Sequence, residues 1–489
     1  MERPSRMARI VVIGAGVGGL AAATRLQSLG HQVTLCEQSN EVGGKLGTYS
    51  RDGYRFDTGP SLLTMPGVFT ELFDATGDPL ERTLDLQRVD PHCHYRFADG
   101  TQLDIPADRQ ALLKALGEAF GASAADEWQA MSRRAERMWE VSRDAFVESP
   151  GPPSLLSLAR SHPSDLGVIA PGRSLRWLAR RMLHDPRLQT LLERYATYSG
   201  SDPRHAPAAL ATISFVEQEY GCWYIGGGLH QLAVALAGRL APGALRLEMP
   251  VAGIELAAGR VNGVRLENGS VLPADAVVSD LDAAHLYADL LSRPRLVPRE
   301  IPSSAGFVLL LGLTTRPTDL AHHTVLFPPL TGPGYAAEFD AIFAGRPADS
   351  PTVYVSAPAD PGVSPTGAQA MFVLVNAPTH GPFDWDEPGV SSGYAESILA
   401  LMAARGLEVR DRIAFCETRT PADLARAVRA PGGAIYGTAS HGPRAAFRRA
   451  ANRSPVPGLF LTGGSAHPGG GLPLVALSAR GVAGLIGPA

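Results

Sequence analysis

Near the N-terminus an apolar, β-branched run from Ala8 to Ile13 passes directly into Gly14-Ala15-Gly16-Val17-Gly18-Gly19, and then into a helical pattern reaching about Leu29. Gly30 stops that helix, and His31 to Glu37 reads as a second strand. A strand, a three-glycine turn, a helix and a second strand make a βαβ unit, and each glycine in it has a task. Gly14 permits the tight turn, Gly16 lets a diphosphate reach the backbone, and Gly19 lets helix and strand pack closely. The helix N-terminus then faces the phosphates, while the Glu37 carboxylate, about twenty residues on, accepts hydrogen bonds from a ribose. The spacing predicts a dinucleotide-binding α/β unit.

The chain has 489 residues, room for roughly two to four domains, so this unit is only part of it. At 45% hydrophobic and 19% charged residues the composition is globular. Basic and acidic residues number 44 and 48, which leaves no global field for nucleic acid or an anionic membrane, and no nucleic-acid partner is expected. Cys36, Cys93, Cys222 and Cys416 form no C-x-x-C pair, which suits a reduced, cytoplasmic compartment. No stretch approaches about 18 uninterrupted apolar residues, so no spanning helix is expected.

Beyond about Pro91 the pattern is mainly helical to Glu219, with a Pro/Gly/Ser-rich break at residues 149–154. Strand patterns return at Ala244–Glu255, Val261–Glu267 and Ala274–Ser279, with Asn268-Gly269 as a turn between the last two. Further strands are expected at Phe307–Leu313, Thr352–Ser356 and Met371–Asn376. The expected arrangement is a mixed α/β chain. A discontinuous nucleotide domain takes residues 1–90, 220–290 and 410–489, and a substrate domain takes 91–219 and 291–409.

Two further glycine clusters narrow the nucleotide. Glu41-Val42-Gly43-Gly44-Lys45 follows the second strand and offers another backbone loop and a cation to phosphates. An NAD-only site has no need of it, whereas an extended FAD could use it. Near the other end, Gly463-Gly464-Ser465-Ala466-His467-Pro468-Gly469-Gly470-Gly471-Leu472-Pro473 leads into a last helix, with Pro473 suited to its first turn. That helix N-terminus, set against a flavin ring, would stabilise negative charge on the reduced form.

In order, GAGVGG, VGGK, FDTGP (residues 56–60), WYIGGG (223–228) and GGSAHPGGGLPLVALSAR (463–480) resemble the carotenoid desaturase family, bacterial phytoene-desaturase type, within the FAD-dependent amine-oxidase-like superfamily. The likeness covers nearly the whole chain. It implies a Rossmann-type FAD-binding domain of the p-hydroxybenzoate-hydroxylase-like kind, with an inserted substrate domain. It also implies bound FAD and dehydrogenation of a hydrophobic polyene such as phytoene, taken from a membrane. Position by position, Gly14, Gly16, Gly19, Glu37, Gly44 and Lys45 match adenosine and diphosphate contacts, and Val251 matches a backbone contact on the adenine side. Gly59 and Pro60 match a flavin-proximal loop. Gly464, His467, Gly470, Gly471 and Leu472 match ribityl and isoalloxazine contacts. The resemblance places the chain on the inner face of the cell membrane as a peripheral protein, with oxygen or a quinone as electron acceptor. Residues 433–442 are similar to the hydroxycarotenoid 3,4-desaturase branch, and isomerases and a saturase share the wider pattern.

Desaturation asks a protein to position an apolar chain and exclude water, since flavin takes the hydride. Asp57, Tyr224 and His467 are the candidate acid–base residues near the motifs, and each also has a structural reading that the sequence favours. Asp57 bonds backbone amides in a turn, Tyr224 packs beside glycines, and His467 holds its loop. His92-Cys93-His94 fits an ordinary strand, and no metal is expected. Leu175 to Leu183 reads as a short amphipathic helix, either packed on the domain core or laid on a membrane interface.

Overall fold

The structure, a computed structural model, describes residues 7–149, 167–331 and 334–489. Ile10, Val11, Val12 and Ile13 are all buried, as a strand covered on both faces requires. Arg9–Ile13 lies at the centre of a five-stranded parallel sheet in the order 459–461, 276–279, 9–13, 32–36, 245–246. Its opening helix, Val17–Ser28, is apolar nearly all round, with ten of its twelve residues buried. It packs against the final helix, Leu472–Ile486, and against Gln231–Ala237, and shares one core with them.

A strand expected across Ala244–Glu255 is instead two. Leu245–Arg246 joins the parallel sheet, while Val251–Ala257 starts an antiparallel one with Arg260–Leu266 and Val271–Pro273. Pro250 stands between the two segments and has no N–H for a ladder, and Glu248 takes a left-handed backbone with φ 51°. Gly269 in the expected Asn268-Gly269 turn has φ 84°.

The second layer is a seven-stranded sheet in the order 413–419, 305–313, 369–377, 353–356, 323–326, 93–96, 102–105. Every pairing is antiparallel except His323–Leu326 with Cys93–Arg96. All nine residues of Ala305–Leu313 are buried. Ile413–Arg419 pairs with Ala305–Leu313, so this sheet takes in residues beyond 410.

Helices Arg109–Phe120, Ala122–Ser142, Leu175–Met182, Pro186–Glu193 and Thr212–Tyr220 form a helical layer. Side chains from the first four share one core with Tyr95, Phe97 and Phe327. Leu175–Met182 is capped by Ser174, whose hydroxyl accepts from the Trp177 amide at 3.1 Å. Its apolar face (Leu175, Leu178, Ala179) and the following Leu183 are buried in that core, and Arg176 pairs with Glu193 at 2.7 Å. The helix is a packed one, and its apolar face is not available to lipid. The break expected at 149–154 lies, beyond Ser149, outside the described residues. No described helix is long and apolar enough to cross a membrane.

A tight contact in the first layer is at Gly19, where an added Cβ would collide with the Gly14 carbonyl oxygen. Gly19→Ala is expected to lower stability by about 1–3 kcal/mol, the range for overpacking in a rigid core. Urea unfolding of the variant beside the parent checks it, and an unchanged midpoint would contradict the contact.

Candidate active site

The C-terminal ends of the parallel strands point into one crevice, the place where open α/β sheets bind ligands. Gly14 with φ 94° follows the first strand, Glu37 the second, and Asp280 the strand Ala276–Ser279. One Glu37 oxygen accepts from the Ala15 amide at 2.7 Å, and the other from the Ser39 amide at 2.9 Å and hydroxyl at 3.0 Å. The carboxylate is thereby fixed at the mouth of the turn. Gly16 presents bare backbone to the crevice, while Gly19 is turned into the helix–strand contact.

The crevice continues as one cavity of about 1090 Å³. Small-molecule pockets span about 300–1,000 Å³, so this cavity holds more than a single compact ligand. Gly14, Gly16, Glu37, Gly44, Lys45, Gly59, Pro60, Val251, Gly464, His467, Gly470, Gly471 and Leu472 all line it. The Lys45 ammonium donates to the carbonyls of Ile435 at 2.6 Å and Ala434 at 3.4 Å, tying the second glycine loop to a distant segment. Burial lowers its pKa, against the pull of Asp282 and Asp280. A Cβ on Gly59 would collide with the Lys45 carbonyl, so that loop packs backbone on backbone.

Sequence reasoning missed three side chains here. The Tyr436 ring lies where a Cβ on Gly470 would be, setting an aromatic face beside the C-terminal loop. Buried Arg449 donates to the carbonyls of Tyr436 at 3.0 Å, Gly464 at 3.1 Å and Thr438 at 3.1 Å, and burial lowers its pKa to about 10. Asp280 stands over the glycine turn, its Oδ2 2.5 Å from the Cβ that Gly16 lacks. Burial pushes its carboxyl up to about 7, with the Gly19 amide and Lys45 opposing. Asp280 had a readable signal, being the first residue past a parallel strand, and Tyr436 lies in the 433–442 stretch noted above; Arg449 had none.

Of the three acid–base candidates only His467 reaches the cavity. Its ring bonds the Ser149 carbonyl at 3.1 Å, its amide donates to Ala450 at 2.9 Å, and burial lowers its pKa to about 4. It is a neutral loop anchor. Asp57 is not among the lining residues. It accepts from the amides of Leu229 at 2.7 Å and His230 at 3.0 Å, across the fold and not within its own turn. Tyr224 is also off the cavity wall, donating to Asp360 at 2.9 Å. His94 bonds Asp104 at 2.7 Å, and neither it nor His92 joins a group of three ligand-type side chains among the described residues.

The residues present fit FAD: a glycine cradle at a helix N-terminus, a fixed carboxylate for the ribose, a second glycine loop, and an aromatic wall at the far end. Residues 17–311 match the family model for flavin-containing amine oxidoreductases. The chain belongs to that family. It is 34% identical to a hydroxyneurosporene desaturase of Rubrivivax gelatinosus, over 98% of this chain and 93% of that protein. It is 33% identical to a 4,4'-diapolycopene oxygenase of Methylomonas sp, over 96% of each. A zeta-carotene-forming phytoene desaturase of Myxococcus xanthus is also 33% identical, over 98% of this chain and 94% of that one. Among solved structures, a putrescine oxidase with bound putrescine superposes with TM-score 0.64 at 17% identity, over 99% of this chain and 100% of that one. Cyclohexylamine oxidase of Brevibacterium oxydans IH-35A gives 0.62 at 15%, over 98% and 99%. These last two establish the fold. The chain is an FAD-dependent oxidoreductase.

Asp280 sets a pH dependence. An acid whose pKa is raised from 3.8 to about 7 on folding makes the folded chain lose stability as pH rises between those values. The charge that appears near pH 7 also stands beside the diphosphate site. FAD affinity is expected to weaken as pH rises through about 7, and Asp280→Asn to bind FAD about tenfold more tightly at pH 8 with little change at pH 6. Fluorescence titration of the FAD-free protein checks both. A pH-independent wild-type affinity would refute the assignment.

Proposed function

We propose that the chain desaturates an acyclic carotenoid, phytoene or a product derived from it. The supporting observation is the continuity of the cavity. The cofactor crevice opens without a partition into a chamber lined by apolar side chains, among them Trp139, Phe146, Ile213, Val308 and Phe372. A small polar amine has no use for such a chamber, whereas a long polyene fills it. The curated relatives, desaturases and oxygenases of carotenoids, support the same substrate class.

Bound FAD supplies a hydride acceptor. The chain's own residues align two neighbouring carbons of the polyene, one to lose a hydride and the other a proton, and keep water out. The C–H electron pair left by the proton forms the new double bond. A positive charge spread along a polyene makes the neighbouring proton acidic, which is why no strong base is required. Oxygen or a quinone then takes the two electrons. Such a substrate resides in lipid, so the working protein sits at a membrane surface, and co-sedimentation with liposomes is the check.

Mass spectrometry of carotenoids incubated with the FAD-loaded protein tests the reaction. Each turnover is expected to lower product mass by two hydrogens. Gain of oxygen would place the chain with the oxygenase relatives, unchanged mass with altered retention would indicate isomerisation, and gain of two hydrogens a saturase. Any of these three outcomes overturns the desaturase reading.

A further inference from the structure

One wall of the chamber breaks its apolar pattern. Arg194 begins the 3-10 turn Arg194–Ser199, is only 8% exposed, and lines the cavity. Its Nη1 donates to the hydroxyls of Tyr95 at 3.1 Å and Tyr198 at 3.2 Å. The guanidinium carbon lies 5.3 Å from the Tyr198 ring, 5.6 Å from Tyr95 and 6.0 Å from Tyr354. Its Nε and Nη2 meet no acceptor among the described residues, and no described carboxylate comes within 4.0 Å. Glu217 acts on it from further off; its Oε2 accepts from Tyr195 at 2.9 Å and its Oε1 has no partner. Burial opposes the charge, but Tyr198, Tyr95, Cys93 and Glu217 together raise its pKa, and Arg194 remains a cation.

Two neighbours extend the polar patch. Tyr335, also on the cavity and buried, has a hydroxyl without a partner. The Tyr354 hydroxyl bonds Ser61 at 2.6 Å, next in sequence to Pro60, so the patch borders the loop expected beside the flavin.

A buried cation with unfilled N–H donors is costly unless a ligand supplies the acceptor. A hydrocarbon supplies none. A fixed positive charge facing the reacting carbons would also oppose the positive charge that develops there on hydride loss. Both arguments require the group meeting Arg194 to be an electron-rich oxygen. We propose that Arg194, with the hydroxyls of Tyr198 and Tyr335, anchors an oxygen function at one end of the polyene. The substrate is then a carotenoid bearing a terminal hydroxyl or carbonyl, in preference to the hydrocarbon of equal length. This rests on the desaturase reading above and adds to it the residues that select the substrate.

The test uses the FAD-loaded protein and two acyclic polyenes of equal length and unsaturation, one with a terminal hydroxyl and one without. Wild type is expected to favour the hydroxylated polyene in kcat/KM by about tenfold to a hundredfold, since a site built to bond an oxygen rejects the analogue lacking it. Arg194→Met is expected to reduce that ratio to within about twofold, chiefly through KM for the hydroxylated polyene. Tyr198→Phe, a milder change, narrows it part of the way, and an unaltered flavin absorption spectrum certifies each fold. Equal kcat/KM for the two polyenes in wild type, or an equal loss on both in Arg194→Met, overturns the anchor. Binding of the same pair, read without turnover from perturbation of the flavin spectrum, separates the two ideas. If neither polyene is desaturated the activity reading fails, yet a hydroxyl preference in binding that Arg194→Met removes still upholds the anchor. No preference in binding ends it.

Discussion

The molecule depends on a backbone contact in its first twenty residues. Gly19 lies so close to the Gly14 carbonyl that no side chain fits between them, and this proximity aims the amide-bearing end of Val17–Ser28 into the crevice. The helix end, the strand end and the Glu37 carboxylate bonded to the Ala15 amide form one rigid corner. Other parts of the site are attached to that corner. The C-terminal helix packs along the opening helix, and its preceding glycine loop is thereby brought over the same crevice.

The site's loops are tied to one another, and in part to segments far away in sequence, by polar side chains bonded mostly to backbone. Lys45 reaches Ile435, Asp57 reaches Leu229 and His230, and Asn452 donates to the carbonyls of Leu461 and His467 and to Ser478. Each tie is buried or half-buried, where an amide or carbonyl left without a partner is expensive. They explain how loops rich in glycine keep a defined shape around a ligand. The same role accounts for Asp57 and His467, which resemble catalytic groups in the sequence and act as fasteners in the structure.

The first two parallel strands, the turn between them and the second glycine loop were legible because their chemistry is local: spacing and glycine content specify them within about forty residues. Of the larger sheet, Ala305–Leu313, Val353–Ser356 and Gln369–Ala377 were legible as apolar runs, but Ile413–Arg419, His323–Leu326 and Gln102–Ile105 were not, and pairing such as Ile413–Arg419 with Ala305–Leu313 leaves no local mark. Leu175–Leu183 read either as a helix packed on the domain core or as one laid on a membrane interface, since amphipathicity does not say what covers the apolar face. Among site residues, those in glycine motifs were found. Arg194 and Arg449 were not, because a lone arginine inside an irregular stretch carries no periodicity and this chain is rich in arginine, and the 433–442 segment did not by itself mark Tyr436 as a wall of the site.

The packing of Val17–Ser28 against Leu472–Ile486 also has a consequence for how the protein is made. Val17–Ser28 leaves the ribosome long before Leu472–Ile486, the helix that covers part of its apolar face. At roughly 5–20 residues per second, synthesis of the chain takes on the order of 20–100 s. Throughout that interval the nascent chain exposes a greasy, alanine- and leucine-rich surface, and the strand Leu459–Leu461 that completes the first sheet is also still missing. The parallel sheet and its opening helix are therefore completed only once residues 459–486 have emerged.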